Sequence, residues 1–297
     1  MPDSQTYDAI RALPCWSGTL EIAPLQGGIT NRNYRVTDQS RQAYVVRIGR
    51  DIPEHGVMRF NELAAARAAH AAGISPEVIH AGNGMLVSRF IDGRTLTPEA
   101  VRRADELPRV VAIVRRCHRE VPRHLEGPAL IFWVFQVIRN YLNLLQVRHA
   151  NPYAVALAEL AARNERLERA VGPVTIVFGH NDLLAANLID DGRRLWLIDW
   201  DYAGFNTPLF DLANLASNNE LPSELETQLL QHYFGEPPGR ELRRSFLAMQ
   251  CASLLRETLW GAVSRLTSTI EFDYGAYAAD YLRRFEQCWQ RFEAGHG

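Results

Sequence analysis

The sequence predicts a two-lobed α+β fold, in which a small antiparallel sheet with one helix precedes a mainly helical lobe. Three observations indicate this. Residues 19–49 and 77–90 contain short runs rich in Val, Ile and aromatic residues between turn residues, a pattern typical of strands. After Thr97, apolar residues recur mostly at helical spacing. Residues 174–204 interrupt that pattern with short strands that carry polar groups. We place an N-terminal lobe at residues 1–91 and a C-terminal lobe at residues 92–297.

The composition is that of an ordinary globular chain. With 297 residues, 47% of them hydrophobic, the chain can bury a large core. Its net charge of −2 and its scattered basic residues make nucleic acid and anionic membranes unexpected partners. The longest apolar run, residues 128–135, is far shorter than the roughly 20 residues of a membrane span. No signal-peptide core is present at the N-terminus. The oligomeric state is not predicted.

The four cysteines lie far apart in the sequence, and none belongs to a CxxC pair. They are Cys15, Cys117, Cys251 and Cys288. This spacing argues against a zinc site and provides no compact disulfide framework. We therefore expect a protein of the reducing cytoplasm.

In the N-terminal lobe, three strands are expected within residues 19–49, with a Gly-Gly turn after the first. A helix over residues 58–73 is Ala-rich and ends at a glycine. Two further strands flank the Asn-Gly turn at Asn83 and Gly84. The segment SRFIDGRTL at their end departs from the strand pattern and is expected to be the hinge between the lobes.

In the C-terminal lobe, the first helix is expected to begin at the cap Thr97 and to continue to about His118, which we interpret as structural. Two more helices follow, over residues 131–149 and 152–171. After residues 174–204, a helix begins with Pro208, and residues 221–297 are expected to be helical. These helices form the scaffold around the strands of residues 174–204.

Residues 174–204 hold the polar groups Asp182, Asn187 and Asp199 near the ends of short strands. An Asp followed by an Asn at the D-x-x-x-x-N spacing, and then by a second Asp at a strand end, is what phosphoryl transfer requires. Asp182 would orient or accept the proton of an attacking hydroxyl group. Asn187 and Asp199 offer the oxygen ligands that Mg²⁺ prefers, with nucleotide phosphates and water completing its shell. The alternative is that these groups only cap turns and strand ends.

These residues resemble a known family. HNDLLAAN followed by LIDWDYAG is similar to the choline and ethanolamine kinases, a branch of the aminoglycoside phosphotransferase group within the protein-kinase-like fold. The resemblance implies that His180 and Asp182 are catalytic and that Asn187 and Asp199 bind the metal. It also implies that Asp211 steadies the catalytic loop through hydrogen bonds. Because IDW stands where protein kinases have DFG, and no APE segment follows, regulation by activation-loop phosphorylation is not indicated.

The same resemblance implies an ATP site in the N-terminal lobe. Gly27, Gly28, Thr30 and Asn31 would form a loop over the phosphates, although a Gly-Gly pair alone is equally typical of a hairpin turn. Arg47, among apolar neighbours, would grip phosphate oxygens with its forked guanidinium. Glu62 would pair with Arg47, unless it is a solvated helix residue. Backbone groups of the hinge would contact the adenine; these residues are Ser88, Phe90 and Ile91.

An acceptor pocket is implied by the last segment of the resemblance. A quaternary ammonium group donates no hydrogen bonds, so its pocket requires aromatic faces and nearby carboxylates. The candidate residues are Trp200, Asp201, Tyr202, Glu257 and Trp260, with Phe272 and Tyr274 as further walls. Glu257 and Trp260 are three apart and share a helix face. The alternative is that Trp260 packs in the core beside a surface carboxylate.

We expect an ATP- and Mg²⁺-dependent kinase that phosphorylates the hydroxyl group of a small amino alcohol, choline first and ethanolamine second. The alternatives are a thiamine or aminoglycoside kinase, or a catalytically silent module that binds a nucleotide or a small cation. The intact set of Asp182, Asn187 and Asp199 speaks against a silent module.

Overall fold

The computed structural model describes residues 4–25, 31–153 and 155–295. Within these ranges, five strands form an antiparallel sheet in the order β1-β2-β3-β5-β4. The strands are β1 (Glu21–Leu25), β2 (Arg32–Thr37), β3 (Ala43–Ile48), β4 (Val78–Gly82) and β5 (Met85–Arg89). Helix α1 (Ser4–Arg11) precedes the sheet and packs on it through Ile10.

The strands form because apolar and polar residues alternate along them. Tyr34 and Val36 of β2 and Val46 of β3 are buried in the same cluster as Ile10, while their neighbours are more exposed. The predicted turn between β4 and β5 has positive φ at Asn83 (52°) and at Gly84 (75°), as the tight hairpin turn requires. The five predicted strands are thus confirmed.

Helix α2 (Arg59–Ala71) joins the sheet to the rest of the molecule. Its alanines Ala65, Ala68 and Ala69 are buried, and their small side chains allow close packing. Asn61 makes two contacts outside the N-terminal region: its side chain donates to the carbonyl of Ala203 at 2.7 Å and accepts from the amide of Leu130 at 3.0 Å. Buried hydrogen bonds therefore fix α2 relative to the segments around the candidate site.

The remainder is mainly helical. The helices are α3 (Pro98–Val101), α4 (Leu107–Glu120), α5 (Val134–Val147), α6 (Leu157–Val171), α7 (Pro208–Asn218), α8 (Ser223–Phe234), α9 (Arg240–Thr267) and α10 (Tyr274–Glu293). Helix α9 is central: residues 246–264 are all buried, and it contacts α5, α6, α7 and α10. A helix that is buried on every side is the core of the region around it. None of the helices in the described ranges is long and apolar enough to cross a membrane.

The single helix predicted from Thr97 to about His118 is wrong, because the structure has α3 and α4 there. Thr97 is the cap that was expected, and its side chain accepts from the amide of Ala100 at 3.2 Å. The break precedes Pro108, which lies in the first turn of α4. Proline has no N–H to donate within a continuous helix, so a helix begins there more readily than it continues.

Residues 174–206 contain four short strands. Strands β6 (Arg94–Thr95), β8 (Leu188–Asp190) and β9 (Leu195–Leu197) form one small sheet, and β7 (Val177–Gly179) pairs with β10 (Gly204–Asn206) in another. Short 3-10 turns occur at Pro53–His55, Val121–Arg123 and Ala185–Asn187. The predicted strands around the polar groups are therefore present as β7 and β9. The lobe boundary after residue 91 stays a prediction.

Candidate active site

The loop that follows β7 is fixed by a carboxylate from helix α7. Asp211 accepts hydrogen bonds from the backbone amides of His180 at 2.8 Å and Asn181 at 2.7 Å. His118 Nε2 lies 2.8 Å from the same carboxylate. Burial alone would raise the pKa of Asp211, but its hydrogen bonds and the neighbouring imidazoles outweigh burial and hold that pKa below its ordinary value. The contacts expected of Asp211 and the structural position expected of His118 are present.

His180 supports this loop from behind. Its ring is fully buried, its Nε2 lies 2.9 Å from the carbonyl oxygen of Ile198, and it packs edge-on against Trp200 at 4.9 Å. Burial lowers the pKa of His180, which favours a neutral imidazole. The buried ring therefore supports the loop, and the catalytic role predicted for His180 stays a prediction.

Asp182 follows the loop and retains partial exposure, 17% of its side chain. The next residues are held by helix α7 and its C-terminal end, since the amide of Leu183 donates to Asn214 at 2.6 Å and that of Ala185 to Asn219 at 3.0 Å. Burial, reinforced by nearby carboxylates, raises the pKa of Asp182 well above its ordinary value despite the neighbouring Arg256. A carboxylate with a raised pKa is a stronger proton acceptor.

Asn187 and Asp199 have the donor chemistry for Mg²⁺. The amide nitrogen of Asn187 donates to the carbonyl of Asp182 at 2.9 Å, so its oxygen is the atom that a metal would contact. Asp199 has a backbone φ of 71° and a side chain that is 36% exposed. Among the described residues, no group of three or more His, Cys, Asp or Glu could hold a metal ion by itself. One amide oxygen and one carboxylate fit Mg²⁺, which keeps water and phosphate ligands.

Arg47 lies near the end of β3 among three carboxylates. Its Nη1 and Nη2 donate to Asp199 Oδ1 at 2.8 and 2.7 Å, and Nη1 also donates to Asp201 Oδ1 at 2.8 Å. Its Nη2 is 3.1 Å from Glu62 Oε1, so the predicted ion pair between strand and helix is present. Burial opposes the charge on Arg47, but the three carboxylates outweigh it and raise the pKa of the guanidinium. Arg47 is therefore a permanent cation at this site.

Asp201 lies on the Arg47 side of the site, and its assignment to the acceptor pocket stays a prediction. Besides Arg47, its carboxylate accepts from Asn31 Nδ2 at 2.9 Å and from Arg59 Nη1 at 2.8 Å. Burial alone would raise its pKa, but Arg47 and Arg59 outweigh burial and lower it. Asp201 is thus a buried anion held by cations.

Trp200 lies in the core. It is 2% exposed, and its indole nitrogen donates to Ser75 Oγ at 3.0 Å. Its ring packs edge-on against His180. The assignment of Trp200 to the acceptor pocket stays a prediction.

The proposed nucleotide contacts of the N-terminal region are placed only in part. Gly27, Gly28 and Thr30 lie outside the described residues, whereas Asn31 is described and contacts Asp201. The predicted hinge contains Ser88, Phe90 and Ile91. Ser88 pairs within the sheet opposite Val45 and Val78, and the amide of Phe90 donates to the carbonyl of Ala43 at 3.0 Å. The amide of Phe90 is therefore not available for adenine.

An aromatic group gathers where the loop after β9 meets α9 and α10. Trp260 Nε1 donates to the hydroxyl of Tyr202 at 2.8 Å, and the Trp260 ring lies 5.3 Å from Tyr277 and 5.8 Å from Tyr274. Phe272 lies 5.0 Å from Tyr274 and is 40% exposed. The structure thus brings together Tyr202, Trp260, Tyr274 and Phe272, four of the candidate acceptor residues, and we call these with Tyr277 the aromatic cluster.

Glu257 and Arg256 connect the aromatic cluster to Asp182. Arg256 Nη1 donates to Glu257 and lies 3.9 Å from Asp182 Oδ1, and its guanidinium packs over the Tyr202 ring at 4.3 Å. The other oxygen of Glu257 accepts from the Tyr277 hydroxyl at 2.9 Å. Glu257 therefore has both oxygens engaged and is only 3% exposed.

Three residues of the site were missed in the sequence. Arg59 lies one helical turn before Glu62, and Tyr277 lies one turn after Tyr274, so helical spacing could have indicated both. Arg256 directly precedes Glu257, but neighbouring residues on a helix do not face each other. Arg256 belongs to the Arg-Glu segment whose resemblance implied the acceptor pocket, but helical spacing gave no signal that it would contact Glu257 beside Asp182.

Comparisons with known proteins point to one family. The family model for choline/ethanolamine kinase matches residues 22–231. Human ethanolamine kinase 2 is 28% identical over 287 residues, covering 88% of this chain and 73% of the human protein. A probable choline kinase 1 of Arabidopsis thaliana is 27% identical over 316 residues, covering 92% of this chain and 87% of that protein.

Among solved structures, a choline/ethanolamine kinase family protein from Mesorhizobium loti has a TM-score of 0.78 and 28% identity, and the match covers 98% of each chain. The predicted kinase-like α+β fold is confirmed by this likeness.

Proposed function

Because the chain belongs to the choline/ethanolamine kinase family and is a phosphotransferase, we propose that it transfers the terminal phosphoryl group of ATP to the hydroxyl group of choline. The observation that carries this proposal is the link through Arg256, which lies 3.9 Å from Asp182 and 4.3 Å from the Tyr202 ring. The reacting carboxylate and the aromatic cluster are therefore neighbours.

On the nucleotide side, Arg47 would contact phosphate oxygens, and Asn187 and Asp199 would hold Mg²⁺. The metal, when bound, neutralises charge on the phosphates. Arg47 suits this role because a forked, permanently charged guanidinium can donate to two oxygens at once. The sequence contains no lysine, so every such contact in this chain falls to arginine.

On the acceptor side, Asp182 would accept the proton of the choline hydroxyl as that oxygen bonds to the terminal phosphorus. The bond from this phosphorus to the bridging oxygen breaks, and the electron pair leaves with ADP. The raised pKa of Asp182 supports this role, because it makes the carboxylate a better proton acceptor during transfer. Its fixed backbone holds it in position.

Choline is preferred over ethanolamine in this proposal because of Glu257. A primary ammonium requires hydrogen-bond acceptors, whereas a trimethylammonium group requires only apolar and aromatic contact with nearby negative charge. Both oxygens of Glu257 already accept hydrogen bonds, from Arg256 and Tyr277. The aromatic cluster therefore offers ring faces, while Glu257 shares its acceptor oxygens with Arg256 and Tyr277. Ethanolamine is the second candidate, since the human relative is named an ethanolamine kinase.

The test is a screen of ADP release with MgATP and choline, ethanolamine, thiamine or several aminoglycosides. We expect choline to stimulate release most, ethanolamine less, and the others little. Asp182→Asn is the matched control for contaminating kinases, because it should abolish the stimulation. If none of these alcohols stimulates release, the proposed function is wrong.

A further inference from the structure

Two arginines and three carboxylates meet between β3, α2 and the loop after β9. Arg47 contacts all three carboxylates, which belong to Asp199, Asp201 and Glu62. Arg59 contacts two of them: its Nη1 lies 2.5 Å from Glu62 and 2.8 Å from Asp201. Glu62 and Asp201 therefore share both cations.

The proposed function requires Arg47 to turn toward nucleotide phosphates. The side chains of Glu62 and Asp201 are each only 3% exposed. A buried carboxylate that loses its cation is strongly disfavoured, because neither water nor another charge replaces the lost interaction. Arg47 can keep its ion pair with Glu62 while it contacts phosphates, but the donors that it turns to the nucleotide are lost to the carboxylates, so a second cation is needed beside them.

Arg59 makes further hydrogen bonds that hold it beside Glu62 and Asp201. Its Nε donates to the carbonyl of Arg50 at 2.9 Å, and its Nη2 donates to Asn31 Oδ1 at 3.1 Å. Two of its three nitrogens, Nε and Nη2, are thus held by groups other than the carboxylates, while Nη1 contacts both carboxylates. Its backbone amide also donates to Asp51 at 2.7 Å at the start of α2. Such a guanidinium is held in place more firmly than one bound through a single contact.

Gly49 leaves room for the contact between Asn31 and Arg59. A Cβ atom at Gly49 would lie 2.3 Å from Asn31 Oδ1 and 3.1 Å from the Arg59 guanidinium carbon. A side chain at this position would therefore displace the pair. Asn31 also donates to Asp201, so the group joins the start of β2 to the loop after β9.

We propose that Arg59 is a positioning residue for phosphoryl transfer: it shares Glu62 and Asp201 with Arg47, and thereby keeps both carboxylates paired when Arg47 turns donors toward the nucleotide. This inference rests on the proposed use of Arg47 at the ATP phosphates. It predicts that Arg59 matters more when the nucleotide is bound than when it is not, because Arg47 covers the same carboxylates in the free protein.

The test compares Arg59→Gln, Arg59→Lys and the control Arg67→Gln, which changes an exposed arginine on the same helix. MgATP affinity is measured by titration calorimetry, and Tm is measured with and without MgATP. We expect Arg59→Gln to weaken MgATP binding roughly tenfold or more and to reduce the Tm rise caused by MgATP. Arg59→Lys should recover part of the loss, and Arg67→Gln should behave like the parent.

The double variant of Arg59→Gln with Glu62→Gln gives a second readout. If unpaired carboxylates cause the loss, Arg59→Gln should weaken MgATP binding by a smaller factor in the Glu62→Gln background than in the parent. Unchanged MgATP affinity in Arg59→Gln would overturn the proposal. So would a lower Tm with an undiminished MgATP-induced rise, since that pattern indicates a purely structural residue. Because these measurements need no acceptor, they give an answer even if no alcohol is phosphorylated.

Discussion

At the residue scale, Asp199 is the side chain on which a metal requirement can be measured. Its carboxylate is partly exposed and is held by Arg47 on one oxygen. If it binds Mg²⁺, Asp199→Ala should lower kcat at least roughly a hundredfold, because the metal's contribution is several kcal/mol. It should also abolish the Mg²⁺ dependence of ATP affinity in calorimetry. Asp191→Ala, in the turn after β8, is the matched control. A variant that retains the magnesium-linked gain in affinity would show that Asp199 is not a ligand.

His55, whose ring lies 5.5 Å from that of Trp260, permits a test of the pH dependence of folding stability. It is buried, with Nδ1 2.9 Å from the Tyr141 hydroxyl and Nε2 3.0 Å from Ser264 Oγ. Burial, aided by the charge of Arg256, lowers its pKa from the ordinary 6.5 to about 3. The unfolded chain therefore binds a proton below pH 6.5 that the folded chain rejects until about pH 3. Stability contributed by neutral His55 is present above pH 6.5 and is lost as the pH falls.

We expect protonation of His55 in the unfolded chain to lower the free energy of unfolding by about 1 to 2 kcal/mol between pH 7.5 and 5.5. Urea unfolding of the parent and of His55→Gln at both pH values measures it. At the higher pH, His55→Gln should have a smaller free energy of unfolding than the parent. On acidification, its free energy of unfolding should fall by less than that of the parent. Equal losses in the two proteins would mean that His55 is already protonated in the folded state or does not titrate in this range.

At the scale of elements, α9 and α10 together carry the proposed acceptor side. Helix α9 carries Arg256, Glu257 and Trp260 at its centre, and α10 carries Tyr277. The contact between Trp260 and Tyr277 at 5.3 Å exists only because the two helices pack on each other. The proposed acceptor site therefore depends on the position of α10 as much as on residues of α9.

Substitution of Trp260 tests whether the acceptor binds between α9 and α10. An indole face over a desolvated cation is worth roughly 2 kcal/mol, so Trp260→Ala should raise the KM for choline by roughly tenfold or more. Trp260→Phe should lie between the alanine variant and the parent, and the KM for ATP should change little. Trp289→Phe on α10 is the matched control, since Trp289 packs with Phe285 and Phe292 away from the cluster. Unchanged choline kinetics in Trp260→Ala would make Trp260 a core residue only.

The elements also show what could be predicted from the sequence. Asp182, Asn187 and Asp199 lie within one short stretch whose spacing reflects the chemistry, and the structure places them at strand ends as expected. The prediction groups Trp200 and Asp201 because a cationic head requires an aromatic face and a carboxylate. The structure instead places Asp201 on Arg47 and Trp200 on Ser75, and residue types alone do not show which way each side chain points.

Contacts between distant elements could not be predicted. Arg59 reaches Asp201 across 142 positions, and the link of Tyr277 to Glu257 depends on how α10 packs on α9. The same packing brings the buried thiols of Cys251 and Cys288 within 2.7 Å, although their spacing in the sequence suggested no pair. Local spacing carries no information about such distances, because they are set by the packing of whole helices.

At the scale of the whole molecule, Asp182 lies between two differently built regions. Arg47, Glu62 and Asp201 form a charged region beside the sheet, and the aromatic cluster with Arg256 forms the other side. Asn31 and Asn61 connect the N-terminal elements to segments around residues 201–203. A nucleotide at the first region and an amino alcohol at the second would place their reacting atoms near one carboxylate.

The most direct test of phosphoryl transfer to choline is to follow the product formed from MgATP and choline by ³¹P NMR, together with ADP. The parent protein should form one phosphocholine for each ADP. Asp182→Asn should lower kcat by roughly two or more orders of magnitude, the scale of a lost general base, while its ATP affinity is retained. A parent protein that forms no phosphocholine, or an Asp182→Asn variant that forms it at a near-normal rate, would contradict the proposed reaction.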